Sequence, residues 1–97
     1  MILITIRKEN THEIRKLLKE HKFQFYNDEW HKKVSEAMLN HTLELIRPER
    51  KEIYVKLTSV YHDNTMRITL GPDNFKEKTN YYAVFQRDVM NSYGVDL

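Results

Sequence analysis

Ile2, Ile4 and Ile6 alternate with Leu3, Thr5 and Arg7 at the start of the chain, the period-two pattern of a strand with one face on a core. Asn10 and Glu13 then have capping-box spacing for a helix beginning at Thr11, with Ile14, Leu17, Leu18 and His21 as its inner stripe. Residues 22–26 read as a short strand that places Phe23 and Phe25 on one side. Asn27-Asp28-Glu29 supplies the cap and acidic first turn of a second helix. Its inner face holds Trp30, Val34, Ala37, Met38 and His41, and Glu29 with Lys33 makes a favourable i,i+4 pair outside. If that helix ran on, Leu39, Leu43 and Ile46 would form a second apolar stripe on its far side, so residues 42–46 are assigned to a strand instead.

The most specific long-range signal is a hairpin from Glu52 to Leu70. A two-residue Asp63-Asn64 turn sets Leu57 against Leu70, Ser59 against Ile68 and Tyr61 against Met66, which puts the apolar set on one face. The other face carries Tyr54, Lys56, Thr58, Val60, His62, Thr65, Arg67 and Thr69. Arg47-Pro48-Glu49-Arg50 is a turn, because the residue before a proline is pushed out of helical geometry, and it joins two antiparallel strands of a three-stranded meander. Gly71-Pro72-Asp73-Asn74 ends the hairpin; a last helix then places Tyr81, Tyr82, Phe85, Val89 and Tyr93 on one arc and stops near Gly94. The predicted fold class is α+β: a mainly antiparallel sheet of about four strands with two or three helices packed on one face. This order resembles that of small RNA-binding α+β modules, without the Gly-rich loop of a KH domain or the aromatic-rich strand of an RRM, so no family is assigned.

With 97 residues the chain makes a single domain, 1–97, with one modest core. Its 16 Lys plus Arg against 14 Asp plus Glu leave too small an excess to argue a nucleic-acid partner from net charge; local clustering has to make that case. The absence of cysteine excludes a disulfide framework, a thiol nucleophile and a Cys-type zinc site, and fits the cytoplasm. The apolar start Met1 to Ile6 is far shorter than the roughly 20 residues of a membrane span and lacks the basic lead of a signal peptide, so no membrane partner is expected. Few Ala, Gly and Pro beside many Asn, Lys, Ile and Tyr is the bias of an AT-rich genome, such as a low-GC bacterium, its phage or its plasmid.

Candidate chemistry concentrates in a few places. His12, Arg15, Lys16, Lys19 and Lys22 fall in one arc opposite the apolar stripe of the first helix, a basic surface suited to nucleic acid or another acidic partner, which Arg7 and Lys8 extend. Glu13 and Glu20 dilute it, and as a solvated helix face it has no function. Tyr54, Lys56, His62 and Arg67 on the hairpin supply the groups a metal-free ribonuclease needs: a base or acid, a cation for the phosphate and a phenol. The same mixture is ordinary on a solvent-facing strand. Phe75, Tyr81 and Tyr82 form an amphipathic rim suited to core packing or partner contact. Metal binding fails, since His12-Glu13 starts a zinc-helix motif whose second ligand position is Lys16, and His31 and His41 do not share a helical face. No cofactor motif is present.

The leading expectation is a non-enzymatic cytoplasmic binding protein that modulates or inhibits a macromolecular partner, a protein or ribonucleoprotein, and is encoded by a phage, another mobile element or a bacterium. The alternatives are nucleic-acid binding through the basic helix stripe and a toxin-like, metal-independent ribonuclease using His62 and Arg67. An open sheet face or edge also suits a homodimer.

Overall fold

The computed structural model describes residues 1–9, 11–59, 65–72 and 81. In chain order its elements are β1 (Ile2–Arg7), α1 (His12–Glu20), β2 (Gln24–Tyr26), β3 (Glu29–Val34), a 3-10 turn (Glu36–Met38), α2 (Leu39–Leu45), β4 (Ile53–Ser59) and β5 (Thr65–Leu70). The strands form one five-stranded sheet in the order β2-β3-β1-β4-β5, and every pairing is antiparallel. β1 and β2 therefore run the same way with β3 between them, and β3 and β4 run the same way with β1 between them. Each helix is thus the crossover of a split β-α-β unit, and β5 folds back along the outer edge of β4. The α+β class with an antiparallel sheet follows the alternation seen in the sequence.

Alternation in β1 decides which face is covered. Ile2, Ile4 and Ile6 are buried on it; they pair with Val34, Lys32 and Trp30 of β3 on one side and with Ser59, Leu57 and Val55 of β4 on the other. Ile14 and Leu18 of α1 and Leu39 and Leu43 of α2 join the same apolar cluster, so both helices lie on this face. Lys32 sits there without a carboxylate because its Nζ donates to the His21 carbonyl at 2.7 Å, at the C-terminal end of α1 where a cation is favoured.

Residues 29–34, expected as a helix, form strand β3. Asn27 and Asp28 have φ of 53° and 60°, the mirror-turn geometry that closes a tight β2-β3 hairpin, and their short polar side chains tolerate it better than most. The pair expected as a helix cap is therefore a turn, and β3 satisfies the edge of β1 that a helix would have left unpaired.

Residues 42–46, expected as a strand, belong instead to α2 and its C-terminal end. The stripe expected on the far side is the buried one: Leu39, Thr42, Leu43 and Ile46 are inside, while Ala37, Met38 and His41 are exposed. The segment 47–50 accordingly joins a helix to β4 rather than two strands, and the three-stranded meander is not formed.

The β4-β5 hairpin keeps its expected faces in a different register. Leu57 pairs with Met66, Val55 with Ile68 and Ile53 with Leu70, so the partner of Leu57 lies four residues away from the one expected. An even slip preserves every face, and this register matches three apolar pairs where the tight turn would have matched Ser59 with Ile68. Val60, His62 and the Asp63-Asn64 turn lie outside the described residues, as do Asn10 and the last helix except Tyr81.

Candidate functional site

The second face of the sheet carries no helix among the described residues. One transverse row on it crosses all the strands: Gln24 pairs with His31, His31 with Thr5, Thr5 with Lys56 and Lys56 with Arg67. A neighbouring row holds Tyr26, Glu29 and Arg7; because Ile6 pairs with Val55, the next residues along, Arg7 and Tyr54, are neighbours too. Lys33, Leu3, Thr58 and Thr65 make a third row, with the two threonine hydroxyls 3.2 Å apart.

Charge on this surface is one-sided. Arg7, Lys33, Lys56 and Arg67 lie on it with Glu29, and Glu52 lies against Gly71 just beyond the β4-β5 ladder; among the described residues none of these cations makes a side-chain hydrogen bond or ion pair. Most described acidic residues, including Glu9, Glu13, Glu20, Glu44 and Glu52, sit on α1, α2 and the connections. Thr5, only 4% exposed, is the floor of a shallow depression of about 290 Å³ lined also by Arg7, Glu29, Tyr54, Val55, Lys56 and Arg67. Tyr54 stands out of it at 67% exposure.

At the β2 edge, Tyr26 is 49% exposed and stacks on His31 with ring centres 3.9 Å apart and planes 15° apart. The His31 ring also lies 3.2 Å from the Tyr26 carbonyl through Nε2. A carbonyl oxygen only accepts, so Nε2 is the donor in this contact, and Nδ1 is buried without a partner among the described residues. Two ties hold this pair of rings in a fixed orientation.

The basic helix stripe is present and separate. His12, Arg15, Lys16 and Lys19 are exposed on α1 and line one depression with Glu20, and Lys22 follows the helix end. Since Ile14 and Leu18 point into the core, this stripe faces away from the sheet, on the opposite side of the molecule from Lys56 and Arg67. Lys8 does join it, lining a groove with Glu9, Arg15, Lys19, Phe25 and Trp30, whereas Arg7 points to the open face. Trp30 is buried there with its Nε1 unpartnered.

Of the ribonuclease set, Tyr54, Lys56 and Arg67 share the open face, with Lys56 and Arg67 directly paired; His62 lies outside the described residues. Phe75 and Tyr82 are also outside them. Tyr81 is buried at 8% exposure in the core, and its backbone N–H donates to Asn40 Oδ1 at 2.7 Å. Among the described residues no three His, Cys, Asp or Glu side chains converge as metal ligands, and no helix is long and apolar enough to cross a membrane.

Sequence reasoning missed the β2-β3 half of the open face, namely Tyr26, Glu29, His31 and Lys33, because it assigned residues 29–34 to a helix. The signal that would have found it is Asn27-Asp28 flanked by aromatic and alternating residues, a hairpin signature as well as a cap. Comparisons with protein-family models, with curated proteins and with solved structures give no match to this chain.

Proposed function

We propose that this is a non-enzymatic, cytoplasmic binding protein that holds a nucleic acid against the open face of its sheet. The observation that supports it most is the set of cations Arg7, Lys33, Lys56 and Arg67 on a face whose described strands carry one carboxylate, Glu29, with none of the four in an ion pair among the described residues, set beside exposed tyrosines. A protein surface of ordinary composition intersperses both signs, and cations left unpaired release counterions when phosphates replace them. The basic side of α1 is the weaker candidate. Its stripe is interrupted by Glu13 and Glu20.

Titrating a labelled oligonucleotide against the protein over a range of salt concentrations tests this. Binding at low salt should weaken with a log–log slope of about −2 to −3, and Lys56→Gln with Arg67→Gln should reduce that slope by roughly 1.5. Lys16→Gln with Lys19→Gln on α1 should leave it nearly unchanged. No binding at low salt would rule the proposal out, and loss of binding only in the α1 variant would move the site to the helix. A protein partner, the leading expectation from the sequence, would show as an oligonucleotide-blind chain whose Lys56 and Arg67 variants lose a co-purifying acidic protein.

A further inference from the structure

Resting on that reading, we infer that the nucleic acid is single-stranded, with one base stacked on the Tyr26–His31 pair, a second on Tyr54, and the backbone following Lys56 and Arg67. Tyr26 on β2 and Tyr54 on β4 are separated by three inter-strand spacings, about 14 Å, with Glu29 and Arg7 between them. Both rings are at least half as exposed as a free side chain or close to it, at 49% and 67%. In a duplex the base faces are already stacked on one another, so a protein ring on a flat sheet meets only sugar and phosphate. In a single strand they are free, and every base offers a π-face.

The two platforms differ in how they are held. Tyr26 is pre-oriented by the parallel imidazole 3.9 Å away, a ring itself held by its bond to the Tyr26 main-chain carbonyl, so less freedom remains to be lost when a base settles on the exposed part of the stack. Among the described residues Tyr54 has no stacked ring beside it, and it rises beside a depression lined by Arg7, Lys56 and Arg67 with Glu29 at its β3 side. A base on Tyr54 thus brings its phosphate within reach of those cations.

Glu29 gives the surface a direction. Its carboxylate, beside Tyr26 across the hairpin, repels phosphate and accepts hydrogen bonds from base N–H groups. Phosphates are therefore favoured beside Lys56 and Arg67 rather than beside Glu29. RNA and DNA single strands share this chemistry; a preference between them would come from 2′-hydroxyl contacts.

The test uses the full chain and fluorescein-labelled strands of about 15 nucleotides, as RNA, as DNA, and as the DNA annealed to its complement. Single strands should bind at least about tenfold more tightly than the duplex at the same salt. Tyr54→Ala and Tyr26→Ala should each weaken single-strand binding by about 5- to 100-fold while leaving the salt slope in place, and Tyr54→Phe and Tyr26→Phe should restore it to within about twofold. Tyr54 is exposed enough that its removal spares the fold, which circular dichroism checks. Equal affinity for the duplex, or Tyr→Ala variants as good as the parent, would overturn the inference while the electrostatic reading stands. Absence of binding to every strand at low salt would overturn both, and tighter binding of RNA than DNA would identify the strand.

Discussion

Lys22 follows α1 with φ of 64°, a left-handed conformation in a residue that has a Cβ. Its N–H bonds to the Lys19 carbonyl and that of Phe23 to the Leu18 carbonyl, the double closure that ends helices most often at a glycine. Phe23 is buried against the core as the accompanying apolar contact, which is what holds Lys22 in place. Lys22→Gly removes the steric cost of the left-handed backbone and adds some unfolded-chain entropy. A net stabilisation of about 0.5–1 kcal/mol is expected, read as a rise in the urea midpoint at unchanged m-value. The same position counted in the sequence as one more cation of the helix stripe. Its backbone role was invisible there, because φ depends on the chain reversal that Phe23 anchors.

At the scale of elements, the β2-β3 hairpin shows how one tetrapeptide serves two local structures. Asn and Asp accept backbone N–H groups at a helix start and also tolerate the positive φ of a mirror turn, so Asn27-Asp28 is a good cap and a good hairpin turn alike. Neighbours on β1 choose between them: Trp30 pairs with Ile6 and Val34 with Ile2, and both side chains are buried. Asp28→Gly should stabilise the protein by roughly 0.5–1 kcal/mol in thermal or urea unfolding, since Asn-Gly is the preferred pair for this turn. A helix over residues 29–34 would instead lose roughly a few tenths of a kcal/mol from the same change. The sign of the shift thus separates the two structures.

α2 carries the complementary lesson. Leu39, Leu43 and Ile46 were legible as an apolar stripe, and only their side was misjudged: with Trp30 and Val34 assigned to the same helix, two stripes competed and the strand became the simpler choice. Once those two residues leave for β3, a single stripe remains and the helix is amphipathic in the ordinary way.

Over the described molecule, α1, α2 and strands β1, β3, β4 and β5 contribute to one apolar cluster, so neither helix should melt by itself. Leu43→Ala in α2, where the side chain is fully buried, is expected to cost about 2–5 kcal/mol and to lower the unfolding transition of helix and sheet signals together. Two separate transitions would contradict a shared core. The same arrangement separates charge by side: the helices carry mixed signs, the opposite sheet face mostly cations. That asymmetry is what a net charge of +2 over the full sequence conceals.

Much was determined by the sequence itself: the α+β class, the first strand and helix, the inner and outer faces of the hairpin, and Tyr54, Lys56 and Arg67 together on the outer one. These follow from periods of 2 and 3.6, which are local and which even a four-residue slip in register leaves intact. Tertiary structure decided the rest: that Asn27-Asp28 turns a hairpin, that residues 39–45 are helical, and that Arg7, Glu29, His31 and Lys33 join Lys56 and Arg67 on one surface. Those outcomes depend on which strand lies beside β1. Pairing between residues far apart in the chain is set by the burial and backbone hydrogen bonds of the assembled sheet, and no local pattern carries that information.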